Sequence, residues 1–342
     1  MRRPVGKLSI EELKDYVLPF KGAYDPRVIL GQMVGGDAAV IRLDDERKLI
    51  LKADPITGAV ENLGWLAVAV PSNDVAVVGG KPLWLLAVLI MPTSMDVEDV
   101  ERIMRRMDEA AKEFGVALVG GHTEFISSID HPIVCSFIAA TTSGRTLSAS
   151  GAKPRDLIVL TKGAAIEATS ILASDLKDEV EKAFGKRFLA KARRFIEKVC
   201  VVREALEAAK IEGVTAMHDP TEGGILTALH ELAEASKVGL LIHENKIFMA
   251  EETEKLCQHF GINPLGALSS GALLITVRKD SVDILLDSMR RLGVRAEVIG
   301  EVKDKSFGRK IVLKSGEMVD LPLPEREELW KLFDKITKRG SL

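Results

Sequence analysis

The chain has 342 residues, 46% of them hydrophobic, with 47 basic against 50 acidic side chains and a formal net charge of -3. That balance removes the electrostatic case for nucleic acid as a partner, and the length favours two domains over one. No stretch supplies the roughly 20 uncharged apolar residues that a membrane span needs. The N-terminal Met1-Arg2-Arg3-Pro4 does not read as a secretory signal, and the scattered Cys135, Cys200 and Cys257 fit a reducing compartment, so a cytoplasmic protein is expected.

In chain order, Ile10 to Phe20 reads as a short helix capped by Ser9 with Glu11 and Glu12 in its first turn. Ala38 to Leu43 and Leu49 to Ala53 read as two strands joined by the charged turn Asp44 to Lys48. Asn62 to Val78 is helical in pattern, with a break expected at Pro71, which lacks a backbone donor. Trp84 to Met91 reads as a buried strand. Val97 to Phe114 is the clearest helix, with Val97, Val100, Met104, Met107, Ala111 and Phe114 spaced as a core stripe.

Ala117 to Val119 is a short strand running into Gly120-Gly121-His122-Thr123-Glu124, and Ile133 to Ala140 is another. The Ser-, Thr- and Gly-rich stretch Thr142 to Pro154 marks a domain junction, giving expected domains 1–148 and 149–342. Beyond it come a strand at Asp156 to Thr161, a long helical pattern near Phe188 to Ala209, a helix from about Glu222 to Ala235 and strands at Gly239 to His243 and Ala272 to Val277. A helix at Val282 to Leu292 and a strand at Ala296 to Ile299 complete a mixed α/β, or α+β, arrangement.

Four Asp-containing turns sit at strand ends or helix starts beside Gly or Pro: Gly35-Gly36-Asp37, Lys52-Ala53-Asp54-Pro55-Ile56-Thr57-Gly58, Asn73-Asp74 and His218-Asp219-Pro220-Thr221-Glu222-Gly223-Gly224. Taken singly, each is an ordinary turn. If Asp37, Asp54 and Asp74 converge, their mutual repulsion calls for a cation, and hard carboxylate oxygens suit Mg²⁺, Mn²⁺ or Ca²⁺ together with substrate phosphates. At the fourth turn, Pro220 starts a helix whose bare Gly223-Gly224 opening is equally readable as an anion site or as close packing. His122 reads either as a metal ligand or proton-transfer group, or as a structural hydrogen-bonding residue. His218, His230, His243 and His259 lack partners at metal-binding spacing and read as structural.

The order of these motifs resembles the AIR synthase-related superfamily, with a likeness to its archaeal HypE-like members. Gly36-Asp37-Ala38-Ala39-Val40, Asp54 to Thr57, Asn73-Asp74-Val75-Ala76-Val77-Val78-Gly79-Gly80-Lys81-Pro82, Gly120 to Glu124 and Asp219 to Gly224 carry the resemblance. It implies a PurM-like two-domain fold whose N-terminal domains pair into a homodimer with a shared β-barrel. It also implies that ATP and divalent metals bind between the domains, with Asp37, Asp54, Asp74, His122 and Asp219 at the metal. Gly35, Gly36, Thr57, Asn73, Gly120, Gly121, Thr123, Thr221, Glu222, Gly223 and Gly224 then lie along the nucleotide, and His122 and Asp219 do the chemistry.

Three departures qualify the substrate. The chain ends Lys338-Arg339-Gly340-Ser341-Leu342 rather than in a modifiable cysteine, its first cysteine is Cys135, and Asp54-Pro55-Ile56-Thr57-Gly58 replaces an Asp-Gly-Val-Gly-Thr-Lys segment. The expected activity is ATP-using phosphoryl transfer to a small metabolite, with a metal-dependent phosphatase and an ATP-binding maturation scaffold as alternatives.

Overall fold

The first helix begins where its capping chemistry dictates. Ser9 accepts from the Glu12 amide while the Glu12 side chain reaches back to the Ser9 amide, and α1 (Ile10–Tyr16) follows. The structure is a computed structural model that describes residues 6–338; Met1 to Val5 and Arg339 to Leu342 lie outside the described residues.

Strands β1 (Val28–Leu30), β2 (Ala39–Arg42), β3 (Lys48–Ile56), β4 (Lys81–Pro92), β5 (Ala117–Ile126) and β6 (Ile133–Thr142) form one sheet in the order β1-β2-β3-β6-β4-β5. Only β4 and β5 pair in parallel. β3 runs past Ala53, where the sequence pattern ends it, because Asp54, Pro55 and Ile56 pair with Ser136, Cys135 and Val134 of β6. Helices α2 (Leu63–Val77) and α3 (Val97–Phe114) pack on each other, and α2 also packs on β3 and β6 of this sheet.

The expected break at Pro71 does not occur, since α2 is continuous through it and buried along its whole length. A proline at this position leaves the carbonyl four residues earlier without its helical donor. That carbonyl, on Ala67, accepts instead from the Ser136 hydroxyl of β6 at 2.6 Å, so the sheet supplies the missing bond. On α3, the buried face is Ile103, Met107, Ala110 and Ala111, while Val97 and Met104 are exposed. Met107 and Ala111 are buried as the stripe predicts and Val100 and Phe114 pack against the core, while Ile103 and Ala110 are buried in place of Val97 and Met104.

The second sheet holds β7 (Leu157–Thr161), β8 (Val214–His218), β9 (Gly239–His243), β10 (Leu274–Val277), β11 (Ala296–Lys303), β12 (Arg309–Val312) and β13 (Met318–Asp320), in the order β13-β12-β9-β11-β7-β10-β8. Its helices are α4 (Ile166–Asp175), α5 (Lys177–Phe184), α6 (Lys186–Arg193), α7 (Val202–Ala209), α8 (Gly224–Ser236), α9 (Glu251–Phe260), α10 (Val282–Arg291) and α11 (Glu328–Lys338). The helical pattern near Phe188 to Ala209 is therefore two α-helices separated by a short 3-10 turn over Arg194–Lys198.

Among the described residues, one face of the first sheet leaves large apolar side chains uncovered. Leu51, Trp84, Leu86 and Phe137 stand exposed on it, in rows set by the pairings Leu51↔Ala139↔Trp84 and Phe137↔Leu86. No described helix is long and apolar enough to cross a membrane.

Candidate active site

On the opposite, covered side of the first sheet, α2 also meets β8, an edge strand of the second sheet, and there the four aspartates come together, Asp54 and Asp74 from within β3 and α2 rather than from the turns expected of them. Asp37, Asp54, Asp74 and Asp219 line one cavity of about 390 Å³, with Gly35, Gly36, Thr57, Thr221 and Glu222. Strand alternation on β3 turns Lys52 and Asp54 to this same side. The Lys52 ammonium lies 3.1 Å from Asp74 Oδ1 and 3.8 Å from Asp54 Oδ1. α2 delivers Asp74 from within the core, and Asp219 follows directly on the last residue of β8.

His218 corrects its sequence reading as one of four structural histidines. Its Nδ1 meets Asp37 Oδ1 at 2.7 Å and its Nε2 meets Glu231 Oε2 at 2.8 Å, all within the site. Burial works against the imidazolium, yet Asp37 and Glu231 outweigh it and push His218 well above its ordinary value. Glu231 is disfavoured as a charge by burial, but Lys7 and His218 bring it down to about 2.

Ligand atoms of Asp37, His218 and Asp219 all lie within 4.8 Å of one another, close enough to hold one cation. With both of its nitrogens engaged by carboxylates, His218 is better placed to orient Asp37 than to ligate. Asp37 Oδ2, Asp74 Oδ2 and both carboxylate oxygens of Asp219 are buried and have no hydrogen-bond partner among the described residues. Burial and then the Asp37 charge raise Asp219 to about 7; burial raises Asp74 as well, in spite of Lys52. Carboxylates crowded in this way, with orphaned hard oxygens, are chemically fitted to a divalent cation.

Two domain models of known families match this chain: the N-terminal domain of AIR synthase related protein over residues 35–146, and its C-terminal domain over residues 153–312. The chain belongs to the AIR synthase-related family. A putative hydrogenase expression/formation protein of Methanocaldococcus jannaschii is 30% identical over 93% of this chain and 95% of its own length. Selenide, water dikinase 2 of Peptoclostridium acidaminophilum is 27% identical over 90% of this chain and 94% of its own. The hydrogenase maturation protein HypE, solved in complex with ATP, shares the two-domain mixed α/β fold with a TM-score of 0.69 at 22% identity, covering 94% of this chain and 96% of that one.

Several residues that the AIR synthase-related motifs single out stand outside the cavity of the single chain. Asn73 is buried, and its side chain is held by the Val199 carbonyl at 2.9 Å and the Val201 amide at 2.8 Å, so it anchors α2 rather than facing a ligand. Of the two equal readings of Gly223-Gly224 the structure shows the packed one: the Gly223 amide donates to Glu327 Oε2 at 2.6 Å, and Gly224 packs against the backbone of Leu265 and Ala267. Gly120, Gly121, His122 and Thr123 lie on the exposed edge strand β5, where His122 Nε2 is 3.8 Å from Glu124.

Sequence reasoning missed Lys7, Lys52, Glu167, Glu231, Ser270 and Trp330, all on the cavity wall. The i, i+2 spacing of Lys52 and Asp54 on a strand was the available signal for Lys52. The C-terminal residues gave none, because Glu327 reaches the Gly223 and Leu268 amides and Trp330 packs against Gly58 across long stretches of chain.

Glu167, near the start of α4, is buried with its Oε2 unpartnered, and burial raises it to about 7. A carboxyl whose folded pKa exceeds its ordinary value contributes stability below that ordinary value, and this contribution is lost as pH rises through about 7. Glu167→Gln removes the titration. In urea unfolding we expect the variant to exceed wild type by about 2 to 3 kcal/mol near pH 9 and by less than about 1 kcal/mol near pH 5. Equal differences at both pH values would show that Glu167 does not titrate in this way.

Proposed function

We propose that the protein is a divalent-metal-dependent enzyme that cleaves a phosphoanhydride or phosphoester bond, most simply ATP-using phosphoryl transfer to a small metabolite. The observation that carries this reading is the set of buried, partnerless carboxylate oxygens on Asp37, Asp74 and Asp219 at the wall of one cavity. Asp37, Asp54, Asp74 and Asp219 would hold the metal, with Mg²⁺ the first choice and Mn²⁺ or Ca²⁺ as substitutes. A bound divalent ion of this kind offsets charge on nucleotide phosphate oxygens. His218 fixes Asp37 through one oxygen and leaves the other for the site, while Lys7, hydrogen-bonded to Thr221 at 2.9 Å, adds positive charge at the cavity mouth. Gly35, Gly36, Thr57, Thr221 and Glu222 would line the nucleotide.

HypE crystallises with ATP and a relative is named as a dikinase; these support ATP as the phosphoryl donor here. In this proposal domains 1–148 and 149–342 each supply half of the site. The chain acts as a homodimer through the exposed Leu51, Trp84, Leu86 and Phe137 face. His122 pairs in register with Val88 on the same side of the sheet, so the dimer is the arrangement in which Gly120 to Thr123 would come to serve a partner's cavity.

The test is phosphate release from ATP and from a panel of phosphate esters, in chelator and then in Mg²⁺, Mn²⁺ or Ca²⁺, on protein whose mass is measured by light scattering. We expect ATP-dependent, chelator-sensitive release from a species of twice the chain mass. Release from simple esters without ATP would move the assignment to a phosphatase, and tight ATP binding with no product would move it to a maturation scaffold. A monomeric mass would end the dimer proposal.

A further inference from the structure

Within the carboxylate cluster the cation sites are unequally provided for. Asp37, Asp74 and Asp219 each keep a buried oxygen without a hydrogen-bond partner among the described residues, but only Asp74, with Asp54, has a described lysine at salt-bridge distance, the ammonium of Lys52 at 3.1 and 3.8 Å. The Lys52 side chain is only 20% exposed, and it comes from the middle of a paired strand, so its position is built into β3.

We propose that Lys52 is a built-in cation of this site: its ammonium fills the place between Asp54 and Asp74 that a second divalent ion would otherwise take. This deepens the metal-dependent reading above and rests on it. A dication bridging Asp54 and Asp74 would stand within a few Å of the Lys52 ammonium already seated between them, and like-charge repulsion at that range in a mostly buried site disfavours holding both. In the absence of nucleotide the chain alone therefore holds an ion through Asp37 and Asp219 only. Further ions enter with the phosphate oxygens of the nucleotide, and the flexible four-carbon stem of Lys52 lets its ammonium move from Asp74 onto those oxygens. The ligand class that this favours is a nucleoside polyphosphate delivered as its metal complex.

The experiment counts Mn²⁺ bound to the full chain without nucleotide, by paramagnetic resonance of the free ion, for wild type, Lys52→Arg, Lys52→Gln and Lys52→Met. We expect roughly one tightly held ion per chain for wild type and Lys52→Arg, and roughly two for Lys52→Gln, with Lys52→Met giving the same count should the glutamine variant not fold. Two ions in the wild type, or a single ion in both neutral variants, would overturn the assignment of Lys52 alone. No Mn²⁺ on the wild type at all would overturn the metal-dependent function and this inference with it.

Discussion

Asp219→Asn is expected to lower metal-dependent ATP turnover by at least about a hundredfold and, in the same protein without metal, to raise stability by about 1 to 3 kcal/mol. The two signs have one cause. Both Asp219 oxygens are buried without a partner, and the Asp37 carboxylate beside them adds repulsion, so the folded apo chain holds this charge at a cost. Asparagine keeps the shape and removes the charge. Its amide can donate to Asp37, which relieves the fold while withdrawing one anionic ligand from the cation. Steady-state ATP hydrolysis in saturating Mg²⁺ and urea unfolding in chelator measure the two effects. A variant that loses stability and activity together would mark Asp219 as a structural residue, and one that keeps full activity would remove it from the metal site. A purely architectural role cannot produce the opposed pair.

How far the sequence discloses such a site depends on the range of the interactions that build it. Asp37 and Asp219 were legible because each sits in a short turn beside Gly or Pro, a local signature; Asp54 and Asp74 were read as turn residues too but lie within β3 and α2, and the cavity gathers all four. Their mutual proximity was not legible, since it depends on β8 meeting α2 and β3 across the two sheets. Lys52 was hidden for a different reason: a lysine on a strand reads as a solvated residue until its neighbours are known to be carboxylates. His218 was set aside for lack of a nearby ligand in sequence, while its partners Asp37 and Glu231 lie 181 and 13 residues away.

The same distinction explains the fold. α3 was legible end to end from its Asp96 cap to the left-handed Gly115, both local features. Continuity of α2 through Pro71 was not, because the compensating donor, Ser136, lies 69 residues from the carbonyl it satisfies. The role of Gly223-Gly224 was half legible. Two glycines at a helix start fit an anion site or close packing equally well, and Glu327, 104 residues on, takes the Gly223 amide.

That packing reading leads to the second large effect. Gly224→Ala is expected to destabilise the protein by about 3 kcal/mol or more, while Gly261→Ala costs only about 1 to 2 kcal/mol. Both glycines have left-handed backbones, at φ +62° and +64°, so the conformational strain of adding a side chain is the same. Their surroundings differ. At Gly261 nothing lies within 4 Å of the added methyl, whereas at Gly224 it would stand 2.6 Å from the carbonyl oxygens of both Leu265 and Ala267. Those are backbone atoms that cannot rotate away, so the start of α8 must shift. Asp219 lies five residues earlier on the same turn, and a shift there also draws it from Asp37. Urea midpoints for the two variants separate strain from collision. Equal losses would mean that the 265–267 segment yields freely, and the stepwise fit of α8 against it would then contribute nothing to holding Asp219 in place.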